Sequence, residues 1–179
     1  IRIDAAGNAG KVLVQGGAGD DVIEVALGEL TFQDTIKGEA GTDSLAVVGS
    51  AVTFNMSTAN SVAEKSFDAI SGVETLAFGT SATNGYTLAG DITITLSTKA
   101  QTSGIKTIDA TYAIGAGDRD LIVNASAFTS ATDLTFIGAD DSDISAQFTG
   151  GAGNDTFTSS KSAATDSMTG GDGADTFNI

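Results

Sequence analysis

Gly16-Gly17-Ala18-Gly19-Asp20-Asp21-Val22-Ile23-Glu24 is a stretch that this chain spells nearly three times. The other two are Gly150-Gly151-Ala152-Gly153-Asn154-Asp155-Thr156-Phe157-Thr158 and Gly170-Gly171-Asp172-Gly173-Ala174-Asp175-Thr176-Phe177-Asn178. All fit Gly-Gly-x-Gly-x-Asp-x-U-x, with U a large apolar residue. A further stretch, Gly38-Glu39-Ala40-Gly41-Thr42-Asp43-Ser44-Leu45-Ala46, departs only at its second position. A nine-residue unit of this kind is a loop followed by one short strand, and stacked units form a parallel roll. The pattern predicts an all-β chain, built as a right-handed parallel β-roll or β-helix solenoid.

The loop spelling also carries chemistry. Glycine tolerates positive φ and lets backbone approach backbone closely, so a tight turn can aim its carbonyl oxygens at one point. Each loop adds a carboxylate. Calcium takes about 6–8 oxygen ligands, which such loops offer, and recurrence separates this reading from that of an ordinary Gly/Asp turn. The candidate Ca2+ ligands are Gly17, Gly19 and Asp21, then Gly38, Gly41 and Asp43, then Gly151, Gly153 and Asp155, and finally Gly171, Gly173 and Asp175. The apolar residue two places after each aspartate (Ile23, Leu45, Phe157, Phe177) lies on the same side of the strand, and anchors the loop to a core. Glu39, standing for glycine, either distorts its loop or adds a ligand.

Spacing fixes how the loops stack. A simple roll of paired nonapeptides uses about eighteen residues per turn. Asp21 and Asp43 are 22 residues apart, and Asp155 and Asp175 are 20 apart. Each pair therefore sits on the same side of the solenoid, one turn apart. Gly28-Glu29 and Ser160 to Asp166 fall on the opposite side and lack the motif, so calcium is expected mainly along one edge. Two partial loops lie late in the middle of the chain. Gly115-Ala116-Gly117-Asp118-Arg119-Asp120-Leu121-Ile122 keeps its sixth-position Asp120. Gly138-Ala139-Asp140-Asp141-Ser142-Asp143 offers Asp141 and Asp143, about half a turn before Gly150, and is placed on the other edge. Asp120, Asp141 and Asp143 join the candidate ligands.

The organisation is one solenoid with motif-bearing turns at 1–46 and 138–179 and a motif-poor stretch at 47–137. Within that stretch Val52 to Met56, Val73 to Phe78, Ile92 to Leu96, Leu121 to Val123 and Leu134 to Ile137 read as strands from their β-branched, period-two character. Ser61-Val62-Ala63-Glu64 fits a capping box and predicts a short helix within 57–70.

Composition excludes much. The chain has 179 residues, a net charge of −15 and 41% hydrophobic residues, enough to bury a core. Its negative charge argues against nucleic acid and anionic membranes. No apolar run is long enough for membrane insertion. Cysteine, histidine and proline are absent, which removes disulfides, thiolate zinc sites and imidazole catalysis. Without histidine or a Gly-x-Ser-x-Gly element, no enzyme is expected; Arg119 between Asp118 and Asp120 reads as a surface ion pair. Both chain ends read as cut from a larger protein.

The four glycine loops resemble the RTX, or haemolysin-type, calcium-binding repeat family. Phe67-Asp68-Ala69-Ile70-Ser71-Gly72-Val73-Glu74-Thr75-Leu76, and the stretch from Val123 through Gly138 into Asp155, are similar to bacterial surface-layer proteins built on RTX solenoids. The family resemblance implies type I secretion, folding outside the cell in calcium, and a parallel β-roll. The surface-layer branch implies lateral assembly with copies of itself in a lattice or filament at the bacterial cell surface, with cell-surface polysaccharide as a further partner. The expected function is a calcium-stabilised structural segment of such a protein. The alternative is the calcium-binding region of a secreted adhesin or secreted enzyme.

Overall fold

The computed structural model describes residues 2–3, 11–26, 34–51, 69–80, 86–88, 91–115, 117–129, 131–161 and 165–179. Its first strands are β1 (Arg2–Ile3), β2 (Leu13–Ala18), β3 (Val22–Ala26), β4 (Thr35–Ala40), β5 (Ser44–Ala51), β6 (Ile70–Ser71) and β7 (Thr75–Phe78). Next come β8 (Tyr86–Leu88), β9 (Ile92–Thr95), the helix α1 (Thr98–Ser103), β10 (Thr107–Asp109), β11 (Ala113–Gly115) and β12 (Arg119–Asn124). The last are β13 (Thr135–Ile137), β14 (Ile144–Thr149), β15 (Thr156–Thr158), β16 (Ser167–Thr169) and β17 (Thr176–Asn178).

Among the described residues every strand pairing is parallel, and paired neighbours are never consecutive in sequence. One sheet runs β1-β3-β5-β7-β10-β13-β15-β17 through the whole molecule, with β8 and β11 attached. It faces β2-β4-β6 in the first half and β16-β14-β12-β9 in the second. The chain thus winds as a parallel β-solenoid, as the nonapeptide spelling predicts. Each turn enters the long sheet at one edge and leaves it at the other.

Register explains why the spelling works. Ile23 pairs with Leu45, Leu45 with Leu76, Leu76 with Ile108, Ile108 with Phe136, Phe136 with Phe157 and Phe157 with Phe177. Like residues therefore stack along the axis as one inward row, buried from Ile23 to Phe157. Phe136, Phe157 and Phe177 stack face to face, with centroids 4.8 and 5.0 Å apart. Phe177 covers Phe157 but is itself 45% exposed, on the last turn. The opposing sheet contributes its own inward rows, such as Ile94, Val123, Phe148 and Met168.

Turn length varies along the row. Successive turns take 22 and 31 residues at the start, 32 and 28 in the middle, and 21 and 20 at the end. The middle turns use their extra residues partly as α1, which the sequence reading did not foresee. Ser97 caps it, accepting from the Lys99 amide at 3.1 Å, and Gly104 ends it in the left-handed region. The helix expected within 57–70 and the strand at Val52 to Met56 lie outside the described residues, except for Ala69 and for Ile70, which belongs to β6.

Candidate metal centre along one edge of the solenoid

From β3 to β17, the residue preceding each strand on the main path of the long sheet forms a row of its own. In order it reads Asp21, Asp43, Glu74, Lys106, Leu134, Asp155 and Asp175. The carboxylates in it reach back one turn to a backbone amide. Asp21 N donates to Asp43 Oδ1 at 2.8 Å, and Asp43 N to Glu74 Oε2 at 2.8 Å. Leu134 N donates to Asp155 Oδ1 at 2.8 Å, and Asp155 N to Asp175 Oδ1 at 2.9 Å. The fifth motif position does the reverse and reaches forward: Thr42 N donates to Asp20 Oδ1, Asn154 N to Asp133 Oδ1, and Ala174 N to Asn154 Oδ1.

The other carboxylate oxygen of each motif aspartate points at the first glycine of its own loop. A Cβ on Gly16 would collide with Asp21 Oδ2 and the Gly38 carbonyl. One on Gly38 would collide with Asp43 Oδ2 and the Gly72 carbonyl, and one on Gly150 with Asp155 Oδ2 and the Gly170 carbonyl. At the fourth position the same stacking brings the Gly19 carbonyl against Gly41 and the Gly153 carbonyl against Gly173. Glycine is needed here for close approach. Carboxylate and carbonyl oxygens from adjacent turns converge where any side chain would stand.

This edge suits a hard cation. Asp43 is fully buried, and among the described residues its Oδ2 has no hydrogen-bond partner; a buried, unsatisfied carboxylate oxygen is costly unless a cation or donor meets it. Asp155 is also buried, and its carboxyl is pushed above its ordinary value, chiefly by that burial and further by the charges of Asp175 and Asp133, against the amides of Leu134 and Gly151. Among the described residues no three acidic side chains gather as an all-side-chain centre. The oxygens on offer are mostly carbonyls, which calcium accepts. Asp21, Asp43, Asp155 and Asp175, with carbonyls of the glycine turns, are the residues that would hold it. Calcium bound there supplies the positive charge that the row of carboxylates lacks.

Glu39 neither distorts its loop nor turns it aside. It pairs in register with Gly17 and keeps a positive φ of +76°, beside +106° at Gly17. Its carboxylate accepts from Gln15 Nε2 at 2.8 Å.

Candidate ligands away from this edge do not join it. Asp120 lies within β12, and Asp141 and Asp143 lie in the turn before β14, all on the entry side of the opposing sheet. Asp141 is engaged as a turn cap, accepting from Asp143 N at 2.9 Å and Gly115 N at 3.3 Å. Asp120 faces outward and lines, with Asp91, Asp118, Ser145, Gln147 and Ser167, a polar groove of about 600 Å³. Arg119 Nη1 donates to the Asp118 carbonyl at 3.1 Å. On that same side Asp166, outside any motif, accepts from Ala146 N and Ser160 N at 2.7 and 2.6 Å.

A parallel solenoid whose glycine turns set carbonyls and aspartates in axial rows is a calcium-binding β-roll. The family model of the RTX calcium-binding nonapeptide repeat matches the chain in four copies, over residues 5–29, 147–161 and 162–178. The chain carries RTX repeats, and such repeats bind calcium. RTX repeat proteins are typically secreted, which points to a calcium-binding segment of a secreted protein at an extracellular location. The match leaves out Gly38 to Ala46, although Asp43 stands in the same row. No curated protein and no solved structure matches the chain.

Proposed function

We propose that this chain is a calcium-stabilised structural segment of an extracellular surface-layer-type protein that assembles with copies of itself on the bacterial cell surface. The observation that supports it is the long sheet, which runs in unbroken register past both aspartate clusters. Calcium at such an edge stiffens a rod, and a rod that repeats along its axis is a building element. The side-chain inventory supports a non-catalytic role, since no histidine is present to serve as base. The net charge of −15 keeps copies apart until cations neutralise it.

The second reading is the calcium-binding region of a secreted adhesin. The groove of Asp91, Asp118 and Asp120 favours it, since it offers carboxylates, hydroxyls and an amide to a polar ligand. Light scattering and electron microscopy during a calcium titration separate the two. Ordered sheets or filaments are expected as calcium rises toward about millimolar, a range typical of extracellular modules, with magnesium a poor substitute. A folded, calcium-loaded protein that stays monomeric at high concentration refutes the assembly reading and leaves the adhesin.

A further inference from the structure

Two turns in the middle of the chain share a spelling of their own: Ser71-Gly72-Val73-Glu74-Thr75-Leu76 and Ser103-Gly104-Ile105-Lys106-Thr107-Ile108. Their strands pair in register, Thr75 with Thr107 and Leu76 with Ile108. Both glycines have positive φ, +61° at Gly72 and +112° at Gly104. Neither turn fits the nonapeptide, and the RTX match covers neither. Each nonetheless delivers the chain to the same edge of the long sheet, with fewer residues between its glycine and its strand than a motif loop has between its first glycine and its strand.

The first of these turns closes a constellation begun by a motif turn. Toward Gly16 converge Asp21 Oδ2 and the carbonyl of Gly38, one turn on. Toward Gly38 converge Asp43 Oδ2 and the carbonyl of Gly72. Gly72 thus takes the place of a motif's first glycine. Glu74 takes the place of its aspartate: Asp43 N donates to Glu74 Oε2 at 2.8 Å, as Asp21 N donates to Asp43 Oδ1 at 2.8 Å.

One atom in this arrangement lacks a partner. Asp43 is 0% exposed, and among the described residues its Oδ2 meets no donor. What lies beside it is another acceptor, the Gly72 carbonyl, against the same face of Gly38. Two convergent oxygens without a donor call for a cation. The site is buried and includes a backbone carbonyl, which fits calcium and disfavours magnesium, an ion that dehydrates reluctantly.

We propose that Asp43 Oδ2 and the Gly72 carbonyl, with Glu74 supplying the second carboxylate, form a calcium site between a motif turn and a turn that carries no motif. The row continues into Lys106 and Leu134, so this site is the last of the first cluster. The proposal rests on calcium binding by the motif turns but not on assembly.

The test uses the full 179-residue chain, with calcium titration calorimetry and amide hydrogen exchange, which reads the two clusters separately. Glu74→Gln keeps an oxygen for the Asp43 amide and removes the charge; Asp43→Asn removes the charge at the unpartnered oxygen. Each should weaken calcium binding at the Asp21–Asp43 cluster by about 10- to 100-fold, leaving the Asp155–Asp175 cluster unchanged. Glu74→Gln should leave exchange protection in chelator unchanged. Wild-type calcium affinity in Glu74→Gln overturns the proposal. So does an equal loss of protection with and without calcium, which marks Glu74 as a backbone cap alone. Absence of calcium from Asp155–Asp175 in the unaltered chain would instead overturn the calcium reading of the motif turns, and this site with it.

Discussion

Gly16 and Gly17 are adjacent, yet each is required for a different reason, so substituting them separately isolates the ion site from the backbone. A Cβ on Gly16 would stand 2.6 Å from the Gly38 carbonyl oxygen, 2.8 Å from Asp21 Oδ2 and 3.3 Å from Asp21 Cβ. A Cβ on Gly17 meets nothing within 4 Å, but the residue holds φ +106°. Gly17→Ala therefore costs about 1–2 kcal/mol of left-handed backbone strain, equally with and without calcium. Gly16→Ala crowds the space between two oxygen ligands. Overpacking costs about 1–3 kcal/mol, so in chelator the two variants should be similar. They part in calcium. An ion at a hundred times its Kd adds about 2.7 kcal/mol to the folded form, which Gly17→Ala should retain and Gly16→Ala should lose. Solenoid turns couple mainly to neighbours, so the measurement is hydrogen exchange at the β2 to β5 amides with and without calcium. If calcium protects both variants equally, Gly16 does not border an ion and the edge has been misread.

Four further outcomes are expected. Glu39→Gly should stabilise the ion-free chain by about 1 kcal/mol, because it removes a side chain from a left-handed position at the loss of one exposed bond to Gln15; chemical denaturation checks this. Phe157→Ala should cost about 3–5 kcal/mol, since Phe136 and Phe177 stack on both its faces, whereas Phe177→Ala, at 45% exposure with one stacking neighbour, should cost clearly less by the same assay. Chelator should expose the amides of β2 to β5 and of β15 to β17 to exchange while those of β9, β10, β12, β13 and β14 stay protected, because the middle of the edge row is Lys106 and Leu134; uniform loss of protection would refute this. The pH response of the Asp155 turn should change sign with calcium. Its folded carboxyl holds the proton above the ordinary 3.8, so in chelator the associated stability is present below that value and lost as pH rises through the folded pKa; in calcium, acid weakens the turn because protons compete with the ion.

The flanks of the fold were legible because a motif turn spells out both its bend and its anchor. Ile23, Leu45 and Phe157 are the residues the pattern points to, and each is fully buried. The middle was legible only as strands. Its turns reach the sheet by Ser-Gly-Val-Glu-Thr and Ser-Gly-Ile-Lys-Thr, a repeat visible in the sequence once the two are set side by side. Glu74 went unremarked as a member of the carboxylate row, since a glutamate two residues after a lone glycine has no motif around it. The helix α1, spelled Thr-Lys-Ala-Gln-Thr-Ser, buries only Ala100 and Ser103 and so carries no apolar stripe to announce it. Asp120 imitates a loop aspartate by spacing alone: its strand begins one residue earlier, at Arg119, which turns Asp120 to the outer face.

Turn length ranges from 20 to 32 residues, while the axial row never loses its place. Only the few residues entering the long sheet must match their neighbours one rung away; whatever the chain does on the rest of its circuit is bound by no repeat. Girth and axis are thus separately adjustable. Such a molecule can accept an inserted excursion in one circuit without disturbing the next, so new surface can be grafted onto an old spindle one coil at a time. The coils with room to spare are those through Glu74 and Lys106, whose circuits of 31 and 32 residues exceed the shortest by more than a nonapeptide.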